Sequence, residues 1–236
     1  MDGFSYSNIF ETKGIEYLII IAFLLLIIPF WTIMNRKNMV NLQVRNPFRT
    51  LSNSILNIPL GIYYSKNHTW VHLEKSGNAR VGLDDFLLHV TGEFTLTHIK
   101  NKGDLITKGE LMAEISHEGK TLRIYSPLTG KIAEMNSTLK GQPGVLIEDP
   151  YGKAWVYKIK PSSWIGETSS YYLAEDAVEW FRKEITRFKD FMAGYFRTLS
   201  PENSMIIMQD GGELCDHTLS ELPDEVWQNF EKSFLI

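Results

Sequence analysis

Eighteen consecutive residues, Tyr17 to Met34, read YLIIIAFLLLIIPFWTIM and carry no charge. At about 1.5 Å of rise per residue, a helix over this run covers roughly 27 Å, close to the hydrocarbon thickness of a bilayer. Pro29 is tolerable there, because a bilayer helix can kink while neighbouring groups satisfy its backbone. Trp31 stands where an interfacial aromatic belongs. A secretory signal would have its positive charges before the apolar run and small residues after it; here Arg36 and Lys37 follow the run and no A-x-A-like site appears. A buried core helix is the other reading, but helices of that kind normally keep a polar face. A single transmembrane helix over 15–35 is therefore expected, after an N-terminal tail of 1–14. From Asn35 to Lys66 the chain has Arg36, Lys37, Arg45, Arg49 and Lys66 and no acid, while the tail sets Asp2 and Glu11 against Lys13. The positive-inside rule then places the N-terminus outside and the rest in the cytoplasm, at the cell (inner) membrane. The basic linker, 36–62, can also meet anionic head groups.

Within 236 residues there is room for one or two further domains. A formal net charge of -4 and the lack of a Lys/Arg run with interleaved aromatics argue against nucleic acid as a partner. The single cysteine, Cys215, excludes an intrachain disulfide. From Tyr63 onward short β-type runs alternate with turn signals: TWVHLE, NARVGL, EFTLTHI, GELMAEIS, KTLRIYS, KIAEMN, VLIED and AWVYKIK. This predicts a sandwich or barrel. Asp84 and Gly92 would bound one short helix. Beyond Pro161, Val178, Phe181, Ile185, Phe188, Met192 and Phe196 fall at helical spacing, which predicts an amphipathic helix from about Tyr171 to Leu199. Its apolar face either packs on its own domain or meets a partner or membrane surface. A strand over Ser204–Gln209, a turn at Asp210–Gly212 and a last helix from near Pro223 follow. The fold class is thus α+β: a transmembrane helix, a β-sandwich and C-terminal amphipathic helices with a short hairpin.

Five motifs run in order through 63–165. Tyr63–Val71 reads YYSKNHTWV, Ala79–Phe86 reads ARVGLDDF, Gly103 and Gly109 mark two turns, Ile124–Pro127 reads IYSP with Gly130 after it, and Glu148–Gly152 reads EDPYG with Trp155 after it. The first, second, fourth and fifth resemble the Y-x-x-x-H-x-W-V, V-G-I-T-D-Y/F, I-Y-S-P-x-x-G and E-D-P-Y-G-x-G-W patterns of the H-protein of the glycine cleavage system, and the two glycines resemble the turn glycines that precede its carrier hairpin. The resemblance implies a lipoyl-type flattened barrel of two small sheets, without catalytic activity, whose lipoylated lysine swings between enzymes from E-S-V-K-A at a hairpin tip. Residues 166–236 lie beyond it as a helical extension.

Counted back from Ile124 without a gap, the family's lysine position holds Gly119, and Lys120 is next. Either the site is lost, Glu118-Gly119 is a tight turn and Lys120 a solvated residue, or the hairpin has shifted by one and Lys120 carries lipoate. The expectation is loss: a membrane-tethered, unmodified module with no cofactor, acting as a structural or docking subunit for protein partners in a membrane complex. The alternative is a working carrier at Lys120, passing aminomethyl or reducing equivalents to a membrane-bound enzyme. His117 stands close enough to tune that amine, although a solvent-facing loop residue is the simpler reading. His68, His72, His89 and His98 show no metal-ligand spacing. Cys215-Asp216-His217 is no zinc signature, and with no G-x-S-x-G, P-loop or dinucleotide fingerprint there is no case for an enzyme.

Overall fold

The computed structural model describes residues 9–35, 56–140, 144–199 and 217–236, with side chains in the first segment described only from Tyr17 to Phe30. The chain divides into two units, Met1–Pro47 and Phe48–Ile236. In the first, helix α1 covers Ile9–Asn35 with Pro29 inside it, so it begins within the expected tail. Every side chain described on it is exposed. Among the described residues no helix is long and apolar enough to cross a membrane; the uncharged run is longer than the part of α1 whose side chains are described. The linker expected at 36–62 lies outside the described residues up to 55, as do the strand at 204–209, the turn at 210–212 and Cys215.

The second unit is built on two antiparallel sheets. Six strands, β1 (Tyr63–Tyr64), β2 (Thr69–Leu73), β3 (Ala79–Leu83), β9 (Tyr157–Pro161), β8 (Gly130–Met135) and β5 (Leu105–Ile106), form the larger in that order. The smaller is β4 (Thr95–His98), β6 (Leu111–His117) and β7 (Lys120–Tyr125). Side chains alternate along the strands, so Val71, Val81, Ile159 and Ile132 from one sheet and Leu96, Ile115, Leu122 and Ile124 from the other are buried in one core. The Tyr157 hydroxyl joins the sheets: it accepts from Lys100 N at 3.1 Å and lies 3.0 Å from Met112 O. Burial pushes its pKa up to about 12.

Helix α2 (Asp85–Thr91) starts where the sequence places it, with the Asp84 carboxylate accepting from Leu87 N at 2.9 Å and Gly92 at φ 73° ending it. VLIED is not a strand. It folds as a single helical turn, α3 (Gly144–Glu148), and Asp149 then accepts from Gly152 N and Lys153 N to turn the chain. An apolar run this short suits either conformation, and the polar turn after it decides. The two-residue strands β1 and β5 are too short to show any period.

After α4 (Trp164–Thr168) comes α5 (Ala174–Leu199). Its apolar face belongs to the barrel core: Ala177, Phe181, Ile185, Phe188 and Met192 are buried, Phe181 meets Tyr64 edge-on and Phe188 meets Phe86 edge-on. Val178, expected on that face, is turned outward, and Phe196 is half-buried. The face therefore packs on its own domain and is not left for a partner. Helix α6 (Asp224–Phe230), continued by a π-helical turn Glu231–Leu235, lies against α5 through Phe230 and Phe234. The region beyond 165 extends the same core.

Gly82 is a point of close approach. A Cβ placed there would stand 2.5 Å from the fully buried Trp70 indole. Gly82→Ala is expected to lose about 1–3 kcal/mol of stability by overpacking, read as a lower urea midpoint by tryptophan fluorescence. An unchanged midpoint would mean that this contact does not constrain the sheet.

Candidate functional site

Strands β6 and β7 form a hairpin whose tip is a two-residue turn. His117 pairs with Lys120, and Glu118 and Gly119 between them have φ 47° and 85°. Positive φ at both central positions is the signature of a type I′ turn, whose twist matches that of the strands. It favours glycine at position 119 and disfavours a side chain there.

Lys120 opens β7. Its ammonium donates to Ser220 O at 2.5 Å and Leu222 O at 3.1 Å, and lies 5.5 Å from the centroid of the Trp227 ring. The His117 ring stacks on the same indole, with centroids 6.2 Å apart and planes 3° apart, and its Nδ1 meets Glu93 O at 2.5 Å. Both residues depart from the simple expectation. Lys120 is half-buried and bound, and His117 is half-buried, with its ring stacked on the indole that also meets the amine. The cover is the C-terminal segment, 217–236. It is fixed to α2 by His217 N donating to His89 O and Leu219 N to Val90 O, at 2.7 and 3.0 Å. The Trp227 indole N–H donates to Leu219 O at 2.7 Å. Further along, Glu231 takes the Arg123 guanidinium and also its backbone N–H, at 2.9 Å, so the free edge of β7 is closed by a carboxylate. Asn67 reaches Leu235 O from the other side.

Behind the cover sits a group that sequence reasoning passed over. His68 is fully buried. Its Nδ1 donates to Asp84 Oδ2 at 2.8 Å, and its Nε2 lies 3.5 Å from Glu184 Oε2 on α5, close enough for charge attraction but not for a hydrogen bond. Phe86 and Trp180 both stack against its ring, with centroids at 4.6 and 5.2 Å. Burial acts to lower its pKa, but Asp84 and Glu184 outweigh that and hold it up at about 9. Arg187 balances the second acid by donating to Glu184 Oε1 at 2.8 Å. The buried unit is an imidazolium with two carboxylates, and the arginine compensates at its rim. His68 and Asp84 each lie in one of the ordered motifs, but nothing in either motif says that the two residues meet. His72 and His98 lie elsewhere on the sheets, and among the described residues no group of His, Cys, Asp and Glu could hold a metal ion.

The profile of the glycine cleavage H-protein family matches residues 62–184. The chain belongs to the glycine cleavage H-protein family. The match runs past the expected boundary at 165 into α5 as far as Glu184, the second acid around His68. A probable glycine cleavage system H protein of Pyrococcus horikoshii is 30% identical over 122 residues, which are 52% of this chain and 90% of that protein. The glycine cleavage system H protein of Xylella fastidiosa is 36% identical over 103 residues, 44% of this chain and 79% of that one. A crystal structure of the H protein from Mycobacterium marinum aligns with a TM-score of 0.42 at 24% identity, covering 45% of this chain and 87% of that chain.

Within this H-protein-like domain the residues present do not fit a swinging lipoyl arm. The tip position holds Gly119 in a left-handed conformation, and the neighbouring amine is held by two carbonyls and an indole. At position 84 the motif quoted above has Thr where this chain has Asp. Either residue can cap α2, but only the aspartate also neutralises His68.

Two predictions follow from this geometry. His68 is raised from an ordinary 6.5 to about 9, so its stabilisation is complete below pH 6.5 and is lost as pH rises through 9. The loss is on the order of 3 kcal/mol. Urea midpoints should fall over that window, and His68→Gln should remove this slope; a parallel slope in the variant would assign the pH dependence to other groups. Trp227→Ala should raise the rate at which acetic anhydride labels Lys120 severalfold while exposed Lys66 keeps its rate, measured by peptide mass mapping. Equal rates at Lys120 would mean that the C-terminal segment does not cover the amine.

Proposed function

We propose that this chain is a membrane-tethered member of the H-protein family that has given up the carrier role and serves as a structural or docking subunit of a membrane-associated complex. The observation that carries the reading is the hairpin: no lysine at the tip, and Lys120 tied to Ser220, Leu222 and Trp227. A carrier arm must be reachable by its ligase and must swing; a bound ammonium under a helix does neither. Tethering is supported by the uncharged run Tyr17–Met34, and an N-terminus outside with the H-protein-like domain in the cytoplasm is the orientation that the basic residues after the run favour under the positive-inside rule. With the apolar face of α5 packed inward, the partner of such a subunit meets the outer surface of the barrel and its cover. The reading assigns no catalytic step to the chain and no bound cofactor.

One observation favours a second reading. Lys120 is the single lysine of the hairpin and stands one residue from the tip. A lipoyl carrier at Lys120 requires the amine to leave its three contacts, and tethering would raise its effective concentration at a membrane enzyme.

Intact mass of the protein from its native membrane, with peptide mapping across Ala113–Pro127, separates the two. An unmodified Lys120 in cells that lipoylate other proteins is the expected result, together with copurifying partners after gentle solubilisation. A lipoyl adduct on Lys120 would overturn the docking reading in favour of the carrier, and Lys120→Arg would then abolish function where it is otherwise silent.

A further inference from the structure

Apart from Lys120 and its cover, a cavity of about 220 Å³ opens beside the base of the hairpin. It lies between the β1–β2 loop, the turn before β6, the end of β7 and the junction of α4 and α5. Two lysines line it, Lys66 and Lys108, and no acidic side chain does. Neither lysine forms an ion pair with a described residue. On a chain of net charge -4, two cations converging on a concave site without a carboxylate make a local field for an anion.

The cavity is also built to hold its shape. The Lys108 ammonium donates to Glu167 O at 3.1 Å and sits 4.5 Å from the centroid of the Tyr171 ring. Those contacts fix its position and leave further N–H donors, since an ammonium has three. The Tyr171 hydroxyl donates to Pro127 O and pins that wall. Tyr125, Tyr171 and Pro127 supply an apolar surface beside the cations, and the exposed Ser170 adds a hydroxyl at the rim. At about 220 Å³ the space is below the roughly 300–1,000 Å³ that admits drug-sized ligands, so the occupant is small.

We propose that this cavity binds a small organic anion, an oxyacid group carried on a short apolar body, with Lys66 and Lys108 holding the charged oxygens and the tyrosine and proline wall taking the body. The site is independent of the docking reading above: the state of Lys120 decides that one, and the occupancy of this cavity does not alter it.

The test uses the full chain in nanodiscs of zwitterionic lipid, with benzoate, inorganic phosphate and benzyl alcohol as probes followed by titration calorimetry and ligand-observed NMR. Benzoate is expected to bind, to be displaced by phosphate, and to bind about tenfold or more tightly than benzyl alcohol, a difference of about 1.4 kcal/mol. Lys66→Ala together with Lys108→Ala should weaken benzoate by at least about tenfold. Lys66→Ala alone, which breaks no side-chain hydrogen bond or ion pair to a described residue, should weaken it severalfold with the near-UV dichroism unchanged. No benzoate binding up to roughly 10 mM, where even Kd values ten times weaker than 1 mM would register, overturns the proposal. So does equal binding of benzyl alcohol, which would make the cavity a neutral crevice, and so does unchanged binding in Lys66→Ala and in the double variant, which would place the anion elsewhere. Phosphate binding with benzoate silent would overturn the apolar half of the assignment.

Discussion

A buried cation at His68 holds the domain's three parts together. The histidine comes from the loop before β2, its first counter-charge from the cap of α2, and its second from the middle of α5. Each charge alone would be expensive in that position, since an ion moved out of water loses several kcal/mol of hydration. Together they are compensated, and the aromatic rings stacked against the imidazolium add cation–π attraction. The arrangement is directional where the surrounding apolar core is not. Phe181, Ile185 and Phe188 pack on the barrel without a directional bond, and the attraction between Glu184 and His68 at 3.5 Å favours the register in which the two meet. The ion cluster therefore favours this register of α5, and α5 in turn presents Phe188 and Phe191 to Phe230 and Phe234.

That chain of contacts leads to the hairpin. With Phe230 and Phe234 seated on α5, Trp227 is placed over His117 and Lys120, and Glu231 is placed at the edge of β7. The C-terminal segment is thus held from behind by aromatic packing and in front by a lysine, an arginine and a backbone N–H. A tip that carries a flexible arm has to stay open to its enzymes. Here the same surface is used to finish the domain's own core and to close an edge strand that would otherwise offer unpaired backbone groups. The contacts that seat this segment are also the ones that hold the Lys120 ammonium in place.

Much of this was legible in the sequence. Short β-type runs between turn signals identified β2, β3, β4, β6, β7, β8 and β9, and Asp84 and Gly92 bounded α2 because capping is a local rule written in nearby residues. Family membership was legible too, through five ordered motifs, and so was the absence of a lysine at position 119. What escaped depends on tertiary partners. VLIED is apolar and β-branched enough for a strand, and only the Asp149 turn makes it a helix. Val178 fits a helical stripe drawn on paper, yet the stripe rotates so that Ala177 and Phe181 face inward, because Glu184 must reach His68. Lys120 reads as a surface residue until the chain returns about a hundred residues later to cover it. No local pattern encodes a contact of that separation.

Why this barrel tolerates a hairpin tip without a lysine follows from where the tip sits. A hairpin tip has no packed neighbours: nothing lies within 4 Å of where a Gly119 Cβ would be. Its backbone needs only a turn whose twist matches β6 and β7, and Glu118-Gly119 supplies that with positive φ at both residues. Replacing a lysine there by glycine removes chemistry without opening a cavity, so the core loses nothing. The strands below the tip are then available as a platform, and in this chain residues 217–236 take it. In this sequence the hairpin beside the tip is covered by residues 217–236, which hold the Lys120 ammonium through Ser220, Leu222 and Trp227.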